Sequence, residues 1–309
     1  MTAAELTWLD VDPADLAPVV LVAGGFLTTP GWYRPMAATL RNRGAAEVVI
    51  APVYPQDWVL SAIRGLGPVT TRVGRALLDA GGRSAASRAS RGAPVLYIGH
   101  SAGGIVGRLL TSPEPFEGRR LNAAGRIGAL VTLGTPHIIG SEARWGRRVA
   151  DAGARFANRH VPGPRFAPTT AYLAVASRFI VGHDEAEDGR SRFMRRLYEE
   201  VRPAPDEPIV AGDGLVPVAS ALLPGAEHLV LDDAVHGPGV RTPWYGQDAQ
   251  LDAWWPRAME LWRDALRARQ ARQARQVRQA RQARRGTTVP EQGVAGRGSG
   301  ADGRVALTG

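Results

Sequence analysis

Five consecutive residues, Gly99-His100-Ser101-Ala102-Gly103, constrain this chain more than any others. They follow directly on a short apolar run, residues 95–98. They lead directly into a segment whose Ala102, Ile105, Val106, Leu109 and Leu110 recur at the spacing of one helical face. A G-x-S-x-G match placed between strand and helix has the form of a nucleophile elbow. The chemistry needs these residue types. The serine sits on a turn so tight that its backbone is strained. The glycines let strand and helix backbones approach where a Cβ would clash. The helix N-terminus aims free N–H groups and the positive end of its dipole at a developing oxyanion.

The rest of the chain repeats the strand-then-helix pattern. Runs at 19–22, 47–50, 95–98, 127–133, 171–181 and 228–231 read as strands. Segments 35–43, 69–80 (ended by Gly81-Gly82), 102–112 and 256–266 read as helices. This alternation predicts an α/β fold: a mainly parallel sheet with helices on both faces. Residues 138–168 interrupt the pattern. Within them Trp145, Val149, Ala152 and Phe156 recur at helical spacing, which predicts an inserted, lid-like amphipathic helix.

The predicted organisation is a body over 1–266, an arginine-rich ARQ repeat over 267–285, and a Gly-, Ser- and Thr-rich tail over 286–309 that is expected to be disordered. Of the formal net charge of +9, residues 263–285 carry +8 and residues 286–309 none, leaving +1 for the first 262 residues. The basicity is therefore local and says nothing about the body. A three-residue period drifts by about 60° per triplet on a helix, so the arginines wind around it without forming a stripe. Such a tail offers weak contact with an anionic membrane or nucleic acid, and no obligate protein partner is implied.

All 38 basic residues are arginine and there is no cysteine. This excludes lysine Schiff bases, P-loop lysines, thiolate nucleophiles and cysteine metal sites. No metal or organic cofactor is implied. The acidic N-terminus lacks the basic start of a secretory signal, so a cytoplasmic location is expected.

A serine needs a base. Of the six histidines, His100 lies inside the elbow, where its side chain should point away from the Ser101 hydroxyl. His137, His160, His183 and His228 fall elsewhere in the pattern. His236 lies in the loop after the last strand, and the chain order Ser…Asp…His selects it. Asp213, framed by Gly212 and Gly214 and 23 residues before His236, is the favoured acid, with Asp184 in reserve. Asp232 and Asp233 are too near His236 in sequence. Ala102 should give one oxyanion N–H, and the loop after the first strand the other, from Gly25 or Phe26.

The segments VVLVAGGFLTTPGWYRPMA, VVIAPVYPQDW, GHSAGG, LVTLGTPH, GDGLVPVAS, and VHGP followed by PWYG are spread over residues 19–246. In them the chain resembles the lipase-like α/β-hydrolases. The resemblance implies the α/β-hydrolase fold and a triad of the elbow serine, the aspartate of DG-x-VP and the histidine of H-x-P, here Ser101, Asp213 and His236. Lipases often carry His-Gly where this chain has Gly24-Gly25, which leaves the second oxyanion donor open between Gly25 and Phe26. The ARQ repeat has no counterpart in the family pattern. The expected function is hydrolysis of carboxylic esters, lipid esters among them, through an acyl-enzyme. The alternatives are acyl transfer from the same intermediate and a catalytically idle binding module.

Overall fold

The computed structural model describes residues 7–140, 145–202, 206–238 and 243–286. The chain divides into two compact units, Met1–Gln270 and Ala271–Gly309. In the first, the order is β1 (Val19–Ala23), α1 (Arg34–Asn42), β2 (Glu47–Ile50), α2 (Pro55–Arg64), α3 (Gly67–Ala86), β3 (Val95–His100), α4 (Ala102–Thr111) and β4 (Ile127–Leu133). There follow α5 (Trp145–His160), β5 (Ala171–Ser177), β6 (Ile180–His183), α6 (Gly189–Val201), β7 (Ile209–Gly212), the single turn α7 (Val218–Ala221), β8 (Glu227–Leu231) and α8 (Asp248–Gly286). Six strands form one sheet in the order β2-β1-β3-β4-β5-β8, every neighbouring pair parallel.

Strand alternation divides the apolar residues between two cores. Val20, Val22, Leu96, Ile98, Val131 and Val175 face Met36 and Leu40 of α1 and Trp254 and Trp262 of α8. Val19, Leu21, Tyr97 and Leu130 face Trp58 of α2, Val73 of α3, Ile105 of α4 and Ala157 of α5. Helices thus cover both faces of the sheet, as the pattern predicts.

Helices α2 and α6, strand β7 and the turn α7 have no counterpart in the sequence reading, and three elements that do have one differ from it. The run at 171–181 is two strands: the chain bends at Arg178-Phe179, and β6 leaves the main sheet to pair antiparallel with β7. Helix α3 runs through Gly81-Gly82, because nothing there requires a turn and Ser84 beyond them is buried, donating to the Ala93 carbonyl at 2.7 Å. Helix α8 begins eight residues before Pro256. An interior proline costs about 3 kcal/mol. Leu251, Trp254 and Trp255 are all buried, and at about 2–3 kcal/mol each they outweigh it.

The body also extends past 266. The Arg269 guanidinium is surrounded by backbone carbonyls, at 2.5 Å from Thr169 and Gly125, 2.7 Å from Ile127 and 3.1 Å from Ala124. Gln270 donates to the carbonyls of Trp8 and Val11. The first ARQ triplet therefore belongs to the first unit. In the second unit, residues 271–286 are helical and residues 271–283 exposed. The tail expected to be disordered lies, from residue 287 on, outside the described residues. Among the described residues no helix is long and apolar enough to cross a membrane.

Helix α5 packs against α4 and α2; of the predicted stripe, Phe156 packs and Ala152 does not. Ala152 is exposed, and the face that packs carries Gly153, Ala154 and Ala157. Phe156 is half-buried against Phe116, with ring centroids 4.9 Å apart. The side chains of Trp145 and Val149 lie outside the described residues.

Candidate active site

Ser101 is the single residue between β3 and α4, with φ +54° and ψ −128°. A non-glycine residue there costs on the order of 1–3 kcal/mol unless its surroundings fix it. They do: its N–H donates to the Leu133 carbonyl at 2.9 Å, and its carbonyl accepts from Gly104 at 3.0 Å. The elbow closes because β3 and α4 touch backbone to backbone. A Cβ on Gly99 would lie 2.4 Å from the Gly104 Cα. Gly104, just outside the five-residue motif, is constrained as well: a Cβ there would meet Thr135 Oγ1 at 2.1 Å.

His236 lies in the loop after β8, in contact with both predicted partners. Its Nε2 is 2.9 Å from Ser101 Oγ and its Nδ1 is 2.8 Å from Asp213 Oδ2. Its own N–H donates to the Asp213 carbonyl at 2.8 Å. Asp213 follows β7, so its strand belongs to the small antiparallel pair outside the main sheet. The carboxylate is buried and takes four donors: His236 Nδ1 and Tyr245 Oη at Oδ2, and the N–H groups of Leu215 and Val216 at Oδ1. Burial pushes this carboxyl up, but the charge of His236 and the hydrogen bonds from His236, Val216 and Leu215 outweigh burial and hold it below the ordinary value. An ionised Asp213 requires the proton on Nδ1, which leaves Nε2 free to accept from the serine hydroxyl.

The competing groups are engaged elsewhere. Asp184 pairs with Arg195 at 3.4 Å, Asp232 with Arg178 at 2.5 Å, and Asp233 accepts from Gln250 at 2.9 Å. His137 is buried between Arg108 and Thr132; burial first, and the Arg108 charge next, hold it far below its usual value. His160 stacks on Phe156, His183 Nδ1 accepts from the Glu185 N–H, and His228 bonds the Leu223 carbonyl. The His100 ring is turned from the Ser101 hydroxyl, as the sequence predicts, and lies between Tyr33 Oη and the His236 carbonyl.

The oxyanion candidates separate. Gly25 packs so close that a Cβ on it would lie 2.7 Å from Ser101 Cβ. Its N–H is donated to Tyr33 Oη at 3.0 Å. The Phe26 N–H has no hydrogen-bond partner among the described residues. Ala102 is the first residue of α4, where N–H groups have no intrahelical acceptor. Sequence reasoning did not single out Tyr245, Tyr33 or Thr28. Tyr245 lies in the PWYG segment, which was the only signal available for it. Among the described residues no group of three or more metal-ligating side chains is present.

No protein-family model and no curated protein matches the chain. Solved structures do. Phospholipase PlaB from Legionella pneumophila aligns with a TM-score of 0.50 at 14% identity, over 81% of this chain and 60% of that one. Lipase BlEst2 from Bacillus licheniformis, in its propeptide form, aligns at 0.47 and 16%, over 80% and 50%. Est1E from Butyrivibrio proteoclasticus aligns at 0.39 and 14%, over 85% and 92%. The chain thus spans about half the length of the Bacillus lipase and 60% of the Legionella phospholipase. With its six-stranded parallel sheet covered by helices on both faces, the chain has the α/β-hydrolase fold.

Proposed function

We propose that the protein is a serine hydrolase of carboxylic esters, lipid esters included, acting through an acyl-enzyme. The observation that carries this reading is the continuous hydrogen-bonded line Ser101 Oγ, His236, Asp213, with contacts of 2.9 and 2.8 Å, on a strained elbow. Ser101 Oγ attacks the ester carbonyl as His236 Nε2 takes its proton. Asp213 holds the imidazole in the required tautomer and stabilises its cation. The N–H groups of Ala102 and Phe26 receive the oxyanion, each worth about 3 kcal/mol in the transition state. His236 returns the proton to the leaving alcohol, and water then attacks the acyl-serine by the same route. Helix α5 is the candidate lid over this site. Because the neighbour with a TM-score of 0.50 is named a phospholipase, phosphatidylcholine belongs in the substrate panel beside simple esters.

The test is labelling by a fluorophosphonate, located by mass on the digested protein, with Ser101→Ala as control. The expected result is one label, on Ser101, together with hydrolysis of p-nitrophenyl acyl esters of graded chain length. Folded protein that takes no label and cleaves no ester would overturn the reading. Adding a competing alcohol separates hydrolysis from acyl transfer by product. A chain-length profile unchanged when Trp145 and Phe156 are both replaced by serine would remove α5 as a lid.

A further inference from the structure

Resting on the serine-hydrolase reading, we propose that Thr28, Tyr33 and His100 are positioning residues. They form a strut that joins the loop carrying the Phe26 N–H to the loop carrying His236, so that oxyanion donor and base are set as one unit.

The direction of each hydrogen bond follows from what its ends can do. His100 Nε2 faces the His236 carbonyl at 2.5 Å. A carbonyl only accepts, so Nε2 carries the proton and Nδ1 is an acceptor. The Tyr33 hydroxyl, 2.8 Å from Nδ1, must then donate to it. That leaves the phenolic oxygen to accept the Gly25 N–H at 3.0 Å. Tyr33 Oη also lies 3.2 Å from Thr28 Oγ1, but its one proton is committed to the shorter contact. Thr28 Oγ1 donates in turn to the Gly25 carbonyl at 2.8 Å. The line therefore runs from Gly25 through Tyr33 and His100 to His236, all one way.

Two consequences follow. The Gly25 carbonyl and the Phe26 N–H share one rigid peptide plane and point in opposite directions. Thr28 fixes the carbonyl, so it also fixes where the Phe26 N–H aims. At the other end, the His236 main chain is held on both sides, its N–H by the Asp213 carbonyl and its carbonyl by His100. The strut is uncharged over the working range. Burial first, and the His236 charge next, lower the His100 imidazole to about 3, and burial raises the Tyr33 phenol to about 12. A donor held in place before the reaction costs no reorganisation when charge develops, and that is where such positioning acts.

The experiment uses the full chain with Tyr33→Phe, which keeps the ring and removes the hydroxyl. Amide hydrogen exchange is followed by mass on segments 24–29 and 233–238, beside kcat and KM on p-nitrophenyl butyrate and the thermal midpoint. The proposal expects faster exchange in both segments and at least a tenfold fall in kcat, with KM within twofold. Faster exchange confined to 24–29, or an unchanged kcat, overturns it. So does a fall in kcat that vanishes on cooling well below the midpoint, which is what a merely structural hydroxyl would give. Thr28→Val supplies an independent arm if Tyr33→Phe does not fold. It should lower kcat while leaving exchange at 233–238 unchanged, and Thr28→Ser should restore kcat. A kcat unaffected by Thr28→Val counts against the proposal. A wild-type protein that takes no fluorophosphonate fails the hydrolase reading, while the exchange arm still decides whether the two loops are joined.

Discussion

Around Ser101, polar groups are held by named partners at short range, and backbones meet without room for a methyl group. Asp213 takes four donors, His236 is bonded at both ring nitrogens and both main-chain groups, and His100 is bonded at both ring nitrogens. Beneath α5 the account is looser. Arg108 is buried with one bond to the Val161 carbonyl at the end of the helix and a long one to His137, and its Nε has no partner among the described residues. Asp151 pairs with Arg155, yet its buried Oδ1 is likewise without a partner among them. Buried groups left partly satisfied cost free energy, and regions that can move are drawn from the less stable parts of a fold. The contrast is between a site assembled in advance and an inserted helix packed on α4 and α2.

The largest effect should come from the acid. Asp213→Asn keeps the shape but removes the charge that fixes the His236 tautomer, and kcat should fall by about 10⁴-fold. A fall of tenfold or less would mean that Asp213 only supports the loop. Next is the elbow itself. Gly99→Ala forces a Cβ against backbone that cannot yield and should destabilise by about 3 kcal/mol, read as a lower midpoint in urea or heat. A midpoint unchanged from wild type would show that the elbow can open.

The third test uses acid. The folded-state value of His100, about 3, lies below its ordinary 6.5. Between those values the unfolded chain binds a proton that the folded chain refuses, so stability rises with pH across this window and is lost as pH falls through it. The slope from this one group is about 1.4 kcal/mol per pH unit. His100→Gln should flatten it by one proton, measured as urea stability at several pH values; an identical slope would contradict the assignment. Asp213 acts in the same direction but lower. Its value is held below the ordinary carboxylate, so its contribution is present above about 4 and lost as pH falls through the folded value.

The smallest effect is expected on α5. A Cβ on Gly153 would meet only the ends of Leu66, Ile105 and Leu109 side chains, at 2.7 to 3.4 Å. These can move, and alanine is favoured over glycine in a helix by about 1 kcal/mol. Gly153→Ala should change stability by about 1 kcal/mol or less. A loss as large as that of Gly99→Ala would erase the difference between the two regions.

The elbow and the six main strands were legible in the sequence because their signals are local: an apolar run, a glycine, a turn. What was not legible depends on what packs where. Helix α2 leaves Val59 and Ile63 exposed while Trp58 and Ser61 are buried, so its apolar residues do not mark its inner face. Helix α6 buries Arg195 and exposes Phe193, which breaks the pattern again. Among its described residues α5 packs Gly153, Ala154 and Ala157 inward beside Phe156, and a search for large apolar residues passes over the first three. Ser101, Asp213 and His236 could be named from motif and chain order, and the structure brings them together. The different engagement of Gly25 and Phe26 was not legible, because it depends on a tyrosine hydroxyl eight residues further along the chain.

The seating of Arg269 bears on how this gene can vary. Runs of near-identical triplets are prone to gain or lose units when DNA is copied. Here the first triplet is locked under the carbonyls of Thr169, Gly125, Ala124 and Ile127, and the copies from residue 271 onward are exposed. A slip after Arg269 would lengthen or shorten the helix by about 4.5 Å and one positive charge per unit and leave the hydrolase fold untouched. A change in the number of units would therefore fall on the exposed helix beyond residue 270, while the anchored first triplet stays where it is.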